Sequence, residues 1–113
     1  FEYAVTNGHI DIDQITAKRR RARIVSVAGR KIESLQPYNK ADMAGRQFDR
    51  KVMAMSDTFS ENLWCFTYRS KKNGHTLVVF EPEQRILDAL ITDLSHTVQR
   101  EVKKHLKPTA EEQ

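Results

Sequence analysis

The sequence predicts an α+β, mainly β domain: a bent antiparallel sheet or small barrel closed by one C-terminal amphipathic helix. Three observations predict it. Asn-Gly dipeptides at residues 7–8 and 73–74 each lie between strand-like apolar runs. They are strong signals for tight hairpins, because both residue types accept positive φ. After Pro82 the apolar period lengthens from two to three and four residues, which marks an amphipathic helix. No strand–helix–strand alternation occurs, which argues against a doubly wound parallel sheet.

Phe1, Tyr3 and Val5 alternate with Glu2, Ala4 and Thr6. A two-residue loop at 7–8 sets Thr6 opposite His9, Val5 opposite Ile10 and Tyr3 opposite Ile12. The apolar sets of both strands then coincide, and Asp11 and Asp13 fall on the other face. A basic stretch, residues 18–23, leads into the strand-like residues 24–27. Ala28-Gly29 breaks that strand, and residues 32–36 form the next. Residues 37–48 read as a loop with one helical turn after Asn39. Residues 52–55 and 63–69 are strands, the second with Trp64, Phe66 and Tyr68 on one face. A two-residue loop at Asn73-Gly74 would set Tyr68 opposite Val79 on the return strand, residues 76–81. Ile86, Leu87, Leu90, Ile91, Leu94 and Val98 then form one stripe. A single helix from Glu83 to about Leu106 would span ~36 Å. The predicted organisation is one domain, residues 1–106, and a polar tail, residues 107–113.

The chain has 113 residues, enough to bury a core without disulfide or metal staples. Its 19 Lys and Arg against 15 Asp and Glu give a net charge of +4. No apolar run approaches the roughly 18 residues of a membrane span. The single cysteine, Cys65, excludes an intramolecular disulfide. Because Phe1 already begins a strand, the expected reading is a domain cut at its edge from a longer chain.

Several of these segments carry a family resemblance. The opening Tyr-x-x-Thr strand (residues 3–6), the basic stretch running into an Ile-rich segment (20–27 and Ile32), the hairpins and the closing helix resemble bacterial pleckstrin-homology-like domains. More narrowly, residues 2–13 with Ile15 and residues 17–21 look like an uncharacterised family of small membrane proteins of Gram-positive bacteria. Pro37-Tyr38-Asn39 and residues 77–82 fit the same pattern, and the resemblance spans roughly residues 2–95. In that family two transmembrane helices come just before the Tyr-x-x-Thr strand. The resemblance therefore implies a membrane-anchored protein whose domain sits at the cytoplasmic side of the cell membrane. It brings no catalytic residues.

The sharpest chemical feature is the basic cluster Lys18, Arg19, Arg20, Arg21 and Arg23, extended by Arg30 and Lys31. A plain solvated hairpin is one reading. As a site, the cluster suits an anionic lipid surface, where each base gains about 1 kcal/mol, and beside an anchor it would also help set topology. The expected partners are that surface or a protein. The alternative is a soluble nucleic-acid-associated protein using residues 18–23. Phosphate suits the charge, but no nucleic-acid motif accompanies it and the net charge is modest. Asp11 and Asp13 read as a solvent face that pairs with the Lys/Arg run, in preference to a cation site. Cys65 reads as a small buried hydrophobe, and Trp64, Phe66 and Tyr68 as packing residues in preference to a base-stacking platform. His9, His75, His96 and His105 have no metal-ligand spacing. No phosphate loop, serine elbow or metalloprotease signature occurs. The sequence thus points to a non-catalytic binding or scaffolding domain without cofactor, metal or evident small-molecule substrate.

Overall fold

The computed structural model describes residues 1–17, 20–56 and 60–106. The predicted tail, residues 107–113, lies outside them. The elements are β1 (Glu2–Thr6), β2 (His9–Ile15), β3 (Arg21–Ala28), a 3₁₀ turn (Gly29–Lys31), β4 (Ile32–Pro37), α1 (Lys40–Met43), β5 (Arg50–Ala54), β6 (Trp64–Ser70), β7 (Gly74–Phe80), α2 (Gln84–Asp93) and α3 (His96–Lys103). They form a three-stranded sheet, β1-β2-β3, and a four-stranded sheet, β4-β6-β7-β5, which do not close into a barrel.

The first hairpin has the predicted register, with Tyr3 opposite Ile12, Val5 opposite Ile10 and Thr6 opposite His9. Asn7 and Gly8 both take positive φ, 54° and 79°. The second hairpin differs. Ser70 pairs with Gly74, so the turn holds residues 71–73, and Tyr68 faces Thr76 instead of Val79. Ser70 Oγ accepts the N–H groups of Lys72 and Asn73 at 3.2 and 3.1 Å, and Gly74 alone in this turn has positive φ, 77°. The longer turn follows from that side-chain cap. The aromatic face still meets an apolar one, because Trp64 pairs with Phe80 and Phe66 with Val78.

One strand departs from the antiparallel expectation: β5 runs parallel to β7. Ala54 ends level with Phe80, which pairs with Trp64 at the start of β6. β5 and β6, consecutive in the chain, are therefore separated in the sheet by β7. The Arg50 guanidinium donates to the Ile24 carbonyl at 3.4 Å, linking the edge of sheet β4-β6-β7-β5 to β3.

The predicted single helix is two. Leu94 is extended (φ −73°, ψ 158°), and Ser95 caps α3 by accepting the Val98 N–H. The Gln99 side chain reaches back and donates to the carbonyls of Ile91 (2.8 Å) and Thr92 (3.2 Å), satisfying the open end of α2. Thr92, Asp93, Ser95 and Thr97 are residues that compete with a helix interior for backbone hydrogen bonds, which favours a break here. The apolar stripe survives it in large part: Ile86, Leu87, Leu90, Leu94 and Val98 are buried, Ile91 is half-buried, and Val102 continues the buried face in α3.

Leu87, Leu90, Leu94, Val98 and Val102 join the inner faces of both sheets in one core, where Phe80 meets Phe66 and Tyr3 edge-on. Trp64 is half-buried against it. The outer face of the four-stranded sheet carries a second apolar cluster of Met43, Met55, Leu63, Cys65, Leu77 and Val79. Residues 38–48 cover it, anchored by α1, whose N-cap Asn39 accepts the Ala41 N–H at 2.9 Å. That helical turn is where the sequence places it. No helix among the described residues is long and apolar enough to cross a membrane.

Candidate functional site: two basic ends

The fold divides the predicted basic cluster. Lys18 and Arg19 lie outside the described residues, and Arg20 is exposed at the start of β3. Arg21 and Arg23 are exposed but paired. Arg21 meets Glu2 at 2.7 Å and Asp13 at 3.2 Å; Arg23 meets Asp13 at 2.9 Å and Asp11 at 3.6 Å. Ser26 Oγ donates to Asp11 at 2.7 Å. A register shift between Ile12 and Asp13 interrupts the β2–β3 ladder at this point. Asp13 does not stand on an open solvent face: its side chain is only 7% exposed. The Arg23 hydrogen bond, followed by that of Arg21, holds its carboxyl below the usual carboxylate range. Two of the five bases at this end are thus already neutralised by acids of β1 and β2.

Arg30 and Lys31 stand at the other end of β3. That strand has eight residues, so at about 3.3 Å per residue the two basic groups are roughly 25 Å apart. The end holding Arg30 and Lys31 also holds the β1–β2 turn, because Gly29 N–H donates to Gly8 O at 2.8 Å. It holds the β6–β7 turn as well, because Ile32 pairs with Tyr68. Three turns distant in sequence therefore converge. Between them lies a cleft of about 340 Å³ lined by His9, Arg30, Lys31, Arg69, Ser70 and Lys71 among others.

Arg46, Lys51, Lys72 and His75 lie beside the same β6–β7 turn. Asp49 fixes this side: its N–H donates to His75 O, and its carboxylate accepts the His75 N–H, each at 2.8 Å. Among the described residues, the acids with contacts at this end are Glu33, Asp49 and Asp93. Glu33 lies 3.6 Å from Arg69 and 3.8 Å from His75, and Asp93 packs against Gly29. Bases therefore outnumber acids here, whereas Arg21 and Arg23 at the other end are compensated by Glu2, Asp11 and Asp13.

Sequence reasoning missed Arg46, Lys51, Arg69, Lys71 and Lys72: the short run at residues 69–72 reads as an ordinary polar turn, and Arg46 and Lys51 stand apart from it. Their signal was positional. Arg30-Lys31 follows a strand break and Lys71-Lys72 precedes an Asn-Gly turn, and antiparallel pairing of the flanking strands brings such turns to one end.

The remaining candidates have structural roles. Cys65 is 1% exposed, and burial pushes its thiol up to about 11, far from a reactive thiolate. Phe66 and Tyr68 are core residues. Among the described residues, no three His, Cys, Asp or Glu side chains converge as a metal site would require.

A family model described as Bacterial PH-like domain (DUF6106) matches residues 1–103. No curated protein and no solved structure gives a significant match.

Proposed function

The chain belongs to this family of bacterial PH-like domains, and from that premise we propose that it is a non-catalytic, membrane-proximal binding or scaffolding module of a longer membrane-anchored protein. It rests against anionic lipid at the cytoplasmic side of the cell membrane. The observation that supports this reading is the convergence of Arg30, Lys31, Arg69 and Lys71 on one end of the fold. Each base near an anionic surface contributes about 1 kcal/mol, so Arg30, Lys31 and Lys71 give weak adhesion, with less from Arg69, which Glu33 offsets. An anchor in the same chain would raise the effective concentration at the surface. The hairpin bases Lys18, Arg19 and Arg20 form a second contact. Arg21 and Arg23 act mainly in holding Asp13.

The test is co-sedimentation with phosphatidylglycerol vesicles at low and high salt. Three proteins are compared: wild type, a variant with Arg30, Lys31, Arg69 and Lys71 changed to Gln, and a variant with Lys18, Arg19 and Arg20 changed to Gln. Arg21 and Arg23 stay in place, so that Asp13 keeps its partners. Salt-sensitive binding that falls most in the first variant supports the reading. Equal binding by all three proteins rejects it, and tighter saturable binding to an oligonucleotide than to vesicles favours the nucleic-acid alternative.

A further inference from the structure

Outside the cleft described above, the outer face of the four-stranded sheet carries a second recess of about 530 Å³. Arg46, Gln47, Phe48, Asp49, Lys51 and His75 line it. Its floor belongs to the strands. Lys51 pairs in register with Leu77, and His75 lies two residues before Leu77, so alternation puts all three side chains on the outer face. Its wall is the segment after α1. Phe48 packs onto the second apolar cluster and holds two groups in place. The Arg46 guanidinium lies 5.2 Å from its ring centroid, and the His75 ring lies 5.0 Å from it.

The charges around this recess are unbalanced. Asp49 is the acid among the lining residues, and its carboxylate is engaged by the His75 N–H and wedged against Gly74, where a Cβ would have no room. Glu33 approaches His75 at 3.8 Å from the neighbouring side and also serves Arg69. Arg46 and Lys51 form no ion pair among the described residues. A guanidinium over the Phe48 ring, an ammonium on β5 and an imidazole on the adjacent β7, all lining one recess, suit a compact anion with several acceptor oxygens. A phosphate monoester fits best, since it carries close to two negative charges at neutral pH and three strong acceptors.

We propose that Arg46, Lys51 and His75 form a phosphate-monoester site on the outer face of the sheet. The site does not depend on the lipid contact proposed for the turn cleft. Its ligand is a soluble phosphorylated metabolite or a monoester lipid headgroup, which share this chemistry.

The test is an amide NMR titration of the protein with inorganic phosphate and with glycerol 3-phosphate, at constant ionic strength set by chloride. Saturable shifts confined to residues around Phe48, Lys51 and His75 are expected. The Arg46→Gln/Lys51→Gln double variant should weaken them about tenfold or more, as expected for losing charge-assisted hydrogen bonds. Both side chains are exposed, so the variant should keep the wild-type melting temperature. Shifts that do not saturate, that chloride reproduces, or that the double variant leaves unchanged overturn the site. To separate the two sources, vesicles of phosphatidic acid, a monoester, are compared with phosphatidylglycerol, a diester, at matched charge. Preference for the monoester that the double variant removes assigns a lipid headgroup. Saturable binding of glycerol 3-phosphate without such preference assigns a soluble ligand. Gln replacement at Arg30, Lys31 and Lys71, which leaves the Arg69–Glu33 pair in place, should leave the phosphate titration intact, so this site and the turn cleft stand or fall separately.

Discussion

Asp13 accepts hydrogen bonds from both Arg21 and Arg23, at 3.2 Å and at 2.9 and 3.4 Å. Those bonds lower its pKa in the folded chain, Arg23 contributing most. An acid whose folded pKa is depressed contributes stability above its unfolded value, about 3.9, and loses it as pH falls through the folded value. Asp13→Asn should therefore be less stable than wild type at pH 7. The gap should narrow from about pH 4 downward; urea unfolding at several pH values measures it, and a gap independent of pH would refute the assignment. Pairing between the Asp pair and the Lys/Arg run was legible in the sequence. The covering of Asp13 was not, because it depends on the register shift after Ile12. Gly29 makes a comparable point by contact. A Cβ there would lie 2.6 Å from Asp93 Cβ and 2.8 Å from Asp93 O. Since one of these is backbone, Gly29→Ala should cost ~1–3 kcal/mol, the range for overpacking, read as a lower urea midpoint.

At the scale of elements, legibility followed the range of the forces that set each one. Asn7-Gly8 fixes its hairpin with two left-handed residues, a local choice the sequence states outright. Asn73-Gly74 carries the same letters, yet Ser70 caps a longer turn and Asp49, just before β5, accepts the N–H of His75 beside it. Parallel β5 was equally illegible, since its direction follows from the path of the chain around β7. The closing helix was read correctly in its buried face and wrongly in its continuity. Periodicity reports which side is buried, while the break at Leu94–Ser95 rests on a cap and on Gln99 reaching across. The buried face makes its own prediction. Leu90 is fully buried between the helices and sheets, so Leu90→Ala should cost ~2–5 kcal/mol. Ile91, one residue on, is only half-buried, and its Ala variant should cost clearly less. Thermal or urea unfolding of the two variants decides it; equal losses would mean that depth of burial within the stripe does not set the cost.

For the whole molecule, the question is which end meets a charged surface. The extents of 49 × 31 × 28 Å are each several times the Debye length, about 8 Å at physiological ionic strength. Basic groups roughly 25 Å apart along β3 would therefore respond to the proposed anionic surface independently, and a surface touching one end would leave the other mostly screened. The end with Arg30, Lys31, Arg69 and Lys71 keeps more bases than acids, whereas Arg21 and Arg23 face Glu2, Asp11 and Asp13. The first end should dock. An environment-sensitive dye attached through Lys72→Cys, in the β6–β7 turn, should shift to the blue when anionic vesicles are added. The same dye attached through Ala17→Cys, in the β2–β3 hairpin, should change much less. Buried Cys65, with its thiol raised to about 11, should stay unlabelled in both proteins. Both responses should fade as salt shortens the Debye length towards about 3 Å at 1 M. A larger response at position 17 than at position 72 would reverse the orientation and return the lipid contact to residues 18–23.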